Sequence, residues 1–238
     1  MMREPPAFMT TKGTTTEQRP VSGARSAHSP TRDLIELIIG YGAIVAVIWS
    51  PERLQQIFSP FVLLLTLGIL LARRPSREQL GLDWRSFIRS AWIVFGAIAL
   101  GLVSALIAAK FGTLHPLYKA GLAHISGYIL WTIYQQILLQ DLFMDRLLRL
   151  GLSGTAAVTI AGTMFASAHL PSPWLTAATL LWGIISCTLF RRYRSVWALG
   201  LAQGLLGLCF AICVPDALHH HLRVGLGYLR YHSAQPVP

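Results

Sequence analysis

Residues Ser86–Ala109 read SFIRSAWIVFGAIALGLVSALIAA. Arg89 is the single charge in the run. The apolar residues are continuous, without the strict alternation of a half-buried strand. About 20 helical residues cross about 30 Å of hydrocarbon. In lipid, only a helix or a closed barrel satisfies every backbone N–H and C=O. The stretch therefore reads as a transmembrane helix. Six more runs resemble it: Leu34–Ser50, Leu54–Ala72, Ala120–Leu142, Ser153–Leu170, Leu175–Phe190 and Ser195–Val214. The expected fold is all-α, a polytopic transmembrane helical bundle of about seven spans. The first two runs are short, and a re-entrant pair stays open as the alternative to full spanning.

Composition agrees with this reading. Of 238 residues 53% are hydrophobic and only 13% charged, and mean hydropathy is +0.52. A soluble domain carries roughly a quarter charged residues. Twenty basic residues face ten acidic ones. Between Trp84 and Pro215 the only acids are Asp141 and Asp145. A soluble enzyme for acidic substrates and a carboxylate-rich metal site are disfavoured. Nucleic acid is not an expected partner, because the basic residues are distributed as a topology signal. With the N-terminus cytoplasmic, fifteen basic residues fall inside: five in the N-tail, five from Arg73 to Arg89, then Arg146, Arg149, Arg191, Arg192 and Arg194. Five fall outside: Arg53, Lys110, Lys119, Arg223 and Arg230.

Four segments follow. Residues 1–33 are rich in Thr, Pro, Ser and Arg, cannot bury enough apolar surface to order, and lack a signal-peptide core. Residues 34–119 hold the first membrane helices, 120–214 a transmembrane core, and 215–238 a C-terminal tail. His219, His220 and His221 in that tail are expected to be solvated. Cys187, Cys209 and Cys213 form no CxxC and read as small apolar residues of the spans.

Polar residues inside spans cost free energy and are functional candidates. The fourth run contains Tyr134-Gln135-Gln136-Ile137-Leu138-Leu139-Gln140-Asp141. Gln136 and Gln140, four apart, share a helix face. Amides here also serve as interhelical glue. The fifth run ends Phe165-Ala166-Ser167-Ala168-His169-Leu170-Pro171. The seventh carries Gln203 among Gly200, Gly204 and Gly207, which permit close helix approach. Around the turn at Gly151, Gln135 and His169 lie at matching depths, roughly 24–27 Å from it at 1.5 Å per residue. Gln203 sits about 12 Å in from its own helix start. It needs tilt or a break to join them.

In this order and spacing the residues resemble the CPBP family, the CAAX proteases and bacteriocin-processing (Abi-type) intramembrane proteases. The family pattern is Glu-Glu-x-x-x-Arg on one span, Arg-Leu soon after, Phe-x-x-x-His on the next, and His-x-x-x-Asn later. Gln135-Gln136-Ile137-Leu138-Leu139-Gln140 stands where the first motif belongs. Asp145-Arg146-Leu147 resembles the helix end, and Phe165–His169 matches the second motif in full. Gln203 and Gly207 take the His and Asn positions of the third. The resemblance covers residues 120–213. It implies an intramembrane endopeptidase acting on membrane-embedded or membrane-anchored peptides or proteins, in a bacterial inner membrane with the N-terminus cytoplasmic. It assigns His169, Gln135, Gln136, Gln140 and Gln203 to the catalytic positions and Phe165 to substrate binding.

The replacements bear on the chemistry. A general base must accept a proton near neutral pH, and an amide does not. Gln140 lacks the charge of the Arg whose place it takes. Losing Glu and Arg together avoids an unpaired buried charge. Hydrolysis is therefore expected to be weak or lost. The alternative is a non-catalytic pseudoprotease that binds membrane peptides or scaffolds a membrane complex. Zinc needs three or four N, S or O donors, and His169 is alone at its depth, so no metal or cofactor is expected. Asp141 and Asp145 stand between two readings, an interfacial salt bridge and a displaced catalytic acid. Asp145 is four residues before Arg149, a favourable helix pair.

Overall fold

The computed structural model describes residues 29–117 and 121–231. Most of the 1–33 tail and Lys119 lie outside the described residues. Within them the chain is helical, with no strand. Helix α1 spans Pro30–Ile48, α2 Glu52–Leu71 and α3 Trp84–Lys110. Helix α4, Leu122–Ile137, runs through a π-helical stretch, Leu138–Met144, into α5, Asp145–Arg149. Then come α6 (Gly154–Ser167), α7 (Pro173–Tyr193), α8 (Val196–Cys213), and the short α9 (Asp216–His219) and α10 (Gly225–Leu229).

Local chemistry sets the starts. Ser29, Asp83, Ser153 and Ser195 are N-caps whose side chains accept the N–H three residues on, satisfying an orphan donor of the first turn. Prolines open α1 and α7 at a position that needs no N–H. Helix α7 ends on Arg194 in the left-handed region.

Four helices, α2, α3, α7 and α8, are each long and apolar enough to cross a membrane alone. Helix α6 is apolar but shorter. Helix α1 carries Arg32, Asp33 and Glu36 in its first turns. Large side chains such as Ile38, Phe61, Leu64, Phe95 and Leu106 point outward. An apolar surface this extensive suits lipid rather than water. The chain is an integral membrane protein.

The helices alternate in direction, and contacts at both ends show it. At one end Val196 N–H donates to Gly81 O at 2.9 Å, and Arg194 donates to Gln79 O at 2.6 Å. Gly81 has φ +66°, and a Cβ there would lie 2.6 Å from the Phe190 ring. At the other end His115 N–H donates to Ile212 O at 3.0 Å, and Gly225 N–H to Leu170 O at 2.7 Å. Helices α1 and α2 form an antiparallel pair: Asp33 at the start of α1 meets Arg73 just past α2, and the end of α1 lies beside Gly225 at the other end of the bundle.

Helix α8 packs closely on α4. A Cβ at Gly200 would lie 2.6 Å from Ile133 Cα, and one at Gly204 3.0 Å from Thr132 Oγ1. Thr132 donates to Gly200 O at 2.9 Å. The glycines do what their spacing predicts.

Two expectations change. The C-terminal segment is not simply solvated. His219 is 1% exposed, pairs through Nε2 with Val214 O at 2.9 Å and accepts Leu222 N–H on Nδ1 at 3.2 Å. Burial holds its pKa below the usual imidazole value. The basic residues are also not all orientation signals. Arg73 and Arg146 meet acids from α1 in a buried cluster. Arg73 contacts Asp33 at 2.7 Å and Glu36 at 2.9 Å. Arg146 contacts Glu36 at 3.0 Å and Asp145 at 3.2 Å, and donates to Asp141 O at 3.0 Å. Asp33 is 0% and Arg146 3% exposed. The cluster ties α1, the end of α2 and α5 together.

Candidate functional site

A cavity of about 1300 Å³ opens between α2, α3, α4, α7 and α8. No Asp, Glu, Lys or Arg is among its lining residues. Its walls are apolar, and its polar side chains include Gln135, His169, Trp182 and Gln203.

Gln203 Nε2 donates to Gln135 Oε1 at 2.6 Å. Gln136 Nε2 donates to Gln203 Oε1 at 2.6 Å. Gln140 Nε2 donates to Gln136 Oε1 at 2.9 Å and reaches Ser186 Oγ at 3.5 Å. Gln136 and Gln140 are fully buried behind the cavity wall. Gln135 and Gln203 face it. The four glutamines named from the sequence form one connected set.

Gln203 reaches this set without a break in its helix. Helix α8 begins inside the bundle: Ser195 and Val196 are buried, Val196 N–H donates to Gly81 O and Trp197 Nε1 donates to Leu82 O in the loop before α3. Its depth therefore cannot be counted from a surface start.

His169 lines the same cavity. It follows α6, one residue past its C-cap. Its Nδ1 lies 2.7 Å from Phe165 O, and the two rings meet edge-on with centroids 4.9 Å apart. Phe165 borders the cavity but is 4% exposed. Its ring packs in the core and meets that of His169. The depth match of Gln135 and His169 brings both to one cavity.

Asp145 pairs with Arg149 at 2.7 Å, as the spacing predicts. Asp141 has no such pair: its Oδ2 is buried without a partner among the described residues. Neither acid lines the cavity. A metal does not fit the donors present. No group of three or more His, Cys, Asp and Glu gathers among the described residues, and His169 is the one histidine among the cavity's lining residues.

Trp182 and Ser186 on α7 were not singled out from the sequence. Trp182 Nε1 donates to Gln203 Oε1 at 3.1 Å. In an apolar run a Trp reads as packing. The usable signal is that a buried indole N–H needs a partner. Tyr134 bonds Thr66 of α2 and Tyr41 bonds Ser167 at 2.5 Å, so α1 and α2 brace the two motif helices.

Fold and site together define a helical membrane bundle with residues from three helical segments gathered around one apolar cavity. Residues 120–209 match the Rce1-like family, described as "Type II CAAX prenyl endopeptidase Rce1-like". That match spans 90 of the 238 residues, all within the transmembrane core, and agrees with the CAAX-protease (CPBP) resemblance of the motifs. No curated protein and no solved structure matches the chain significantly.

Proposed function

We propose that the chain takes membrane-embedded or membrane-anchored peptides or proteins into its cavity, as a CAAX-type endopeptidase-like protein whose hydrolysis is weak or lost. One observation carries this reading: the polar wall of the cavity is a set of mutually hydrogen-bonded amides with no carboxylate. Where the family has an acid to activate water, Gln135 and Gln136 accept no proton. Any residual turnover rests on His169, the one imidazole in the wall. Gln135 and Gln203 would then orient water and donate to the developing oxyanion, with Gln136 and Gln140 holding them in place. Phe165 supports His169 and edges the substrate space. The basic-residue bias supports a cytoplasmic N-terminus, and the family resemblance implies a bacterial inner membrane. The second reading is a pseudoprotease that only binds or scaffolds. The uncharged amide set favours it, because such a wall needs no counter-charge from a substrate.

The test is processing of a membrane-anchored reporter peptide by the wild type, by His169→Ala, and by Gln135→Glu, Gln136→Glu, Gln140→Arg combined. Slow wild-type processing abolished by His169→Ala supports the first reading. Processing that appears only in the triple variant supports the second. Processing indifferent to both removes the site.

A further inference from the structure

The amide set has a direction, and one residue fixes it. An amide oxygen only accepts and its nitrogen only donates, while an indole N–H only donates. Trp182 Nε1 meets Gln203 at 3.1 Å, so the atom it meets is the oxygen. That turns the Gln203 NH2 toward Gln135, which must answer with its oxygen. Gln135 is left with its NH2 as the group without a partner among the described residues. The same Gln203 oxygen receives the Gln136 NH2, and Gln136 in turn offers its oxygen to Gln140. Reversing any amide would set oxygen against oxygen or nitrogen against nitrogen.

His169 has an equally fixed sense. The Phe165 carbonyl accepts only, so Nδ1 carries the proton, and neutral His169 keeps Nε2 as a bare acceptor. Gln135 and His169 line one cavity. Its wall therefore offers a donor and an acceptor without formal charge.

We propose that this wall is a site for uncharged secondary amides, and that Trp182 is the positioning residue that sets its polarity. A peptide carbonyl accepts from the Gln135 NH2. A peptide N–H, from the same or a neighbouring group, donates to His169 Nε2. A carboxylate satisfies only the donor and meets a lone pair at the other end, in a cavity with no cation in its lining. The inference rests on the reading above and narrows it to the chemistry of the bound group.

The experiment uses the full chain in lipid nanodiscs and three N-dodecanoyl dipeptide probes: a methylamide, the analogue with one N–H replaced by an ester oxygen, and the free acid. Affinities are read by calorimetry. The methylamide is expected to bind about tenfold tighter than the ester, the scale of one hydrogen bond, and tighter still than the acid. Trp182→Phe keeps the ring and removes the N–H. It frees the amides to turn the Gln135 oxygen outward, so methylamide and ester, which share the carbonyl that Gln135 holds, are both expected to bind about tenfold weaker, with their ratio and the melting temperature unchanged. A Trp182 that does not set the polarity would leave both affinities alone. Equal binding of amide and ester, unchanged affinities in Trp182→Phe, or tightest binding of the acid overturns the proposal. If reporter processing still depends on His169 while the ratio is flat, only the polarity falls. If no probe binds and His169→Ala changes nothing, the functional reading falls with it.

Discussion

Two buried polar networks lie in this bundle, built on opposite rules. Where α1 begins, Asp33, Glu36, Arg73, Arg146 and Asp145 keep their charges and share them. Along the cavity wall, Gln135, Gln136, Gln140 and Gln203 carry none. A charge taken out of water needs several partners, and removing one strands the rest. An amide network loses only hydrogen bonds when a member goes. The ionic cluster sits at a bundle end, where α1 begins, while the amide set lies along an apolar cavity whose lining holds no Asp, Glu, Lys or Arg, a setting in which an unmatched charge is costly. Exchanging Glu and Arg for Gln makes the second network independent of any counter-charge.

The comparison breaks most visibly at Arg146. Arg146→Ala leaves Glu36 and Asp33 in a buried site with one arginine fewer. About 3–5 kcal/mol of stability should go, read as a large drop in melting temperature in detergent. A loss under about 1 kcal/mol would place the cluster in contact with water, on the scale of exposed pairs. A Gln136/Gln140 cycle sharpens the contrast. Gln136→Glu alone places an unmatched acid in a fully buried position, and adding Gln140→Arg should recover about 1–3 kcal/mol of that loss. Additive effects would mean the two positions do not sense each other's charge. Arg149→Ala should do least. Its pair with Asp145 is partly exposed, at 42% and 34%, and about 0.2–1 kcal/mol is expected.

The spans were legible because lipid imposes one rule on every residue of a crossing, so continuous apolar runs locate helices within a few positions. Residues Gln135, Gln136, Gln140, His169 and Gln203 were legible because polar groups stand out in such runs. The ionic cluster was not. Asp33 looked like the end of a polar tail, and Arg73 and Arg146 looked like flanking charges. Nothing local says that residues 37 and 110 positions from Glu36 will touch it. Trp182 was hidden for another reason: its ring fits an apolar helix, and only its single N–H takes part in the site. The buried start of α8 was equally silent, since it depends on the loop folded over it.

The sequence distance in the ionic cluster orders assembly in time. Synthesis delivers Asp33 and Glu36 at the outset, with Arg32, which reaches Glu36 at 2.7 Å, close beside them. Arg73 arrives with the end of α2, and Arg146 only when the fourth crossing is complete. The first helix is thus the last to be finished: its acids wait for a residue made much later. The arginines that read as orientation signals are bare while the chain is being threaded, and become staples once it is home. One set of charges serves first as a compass and then as a lock.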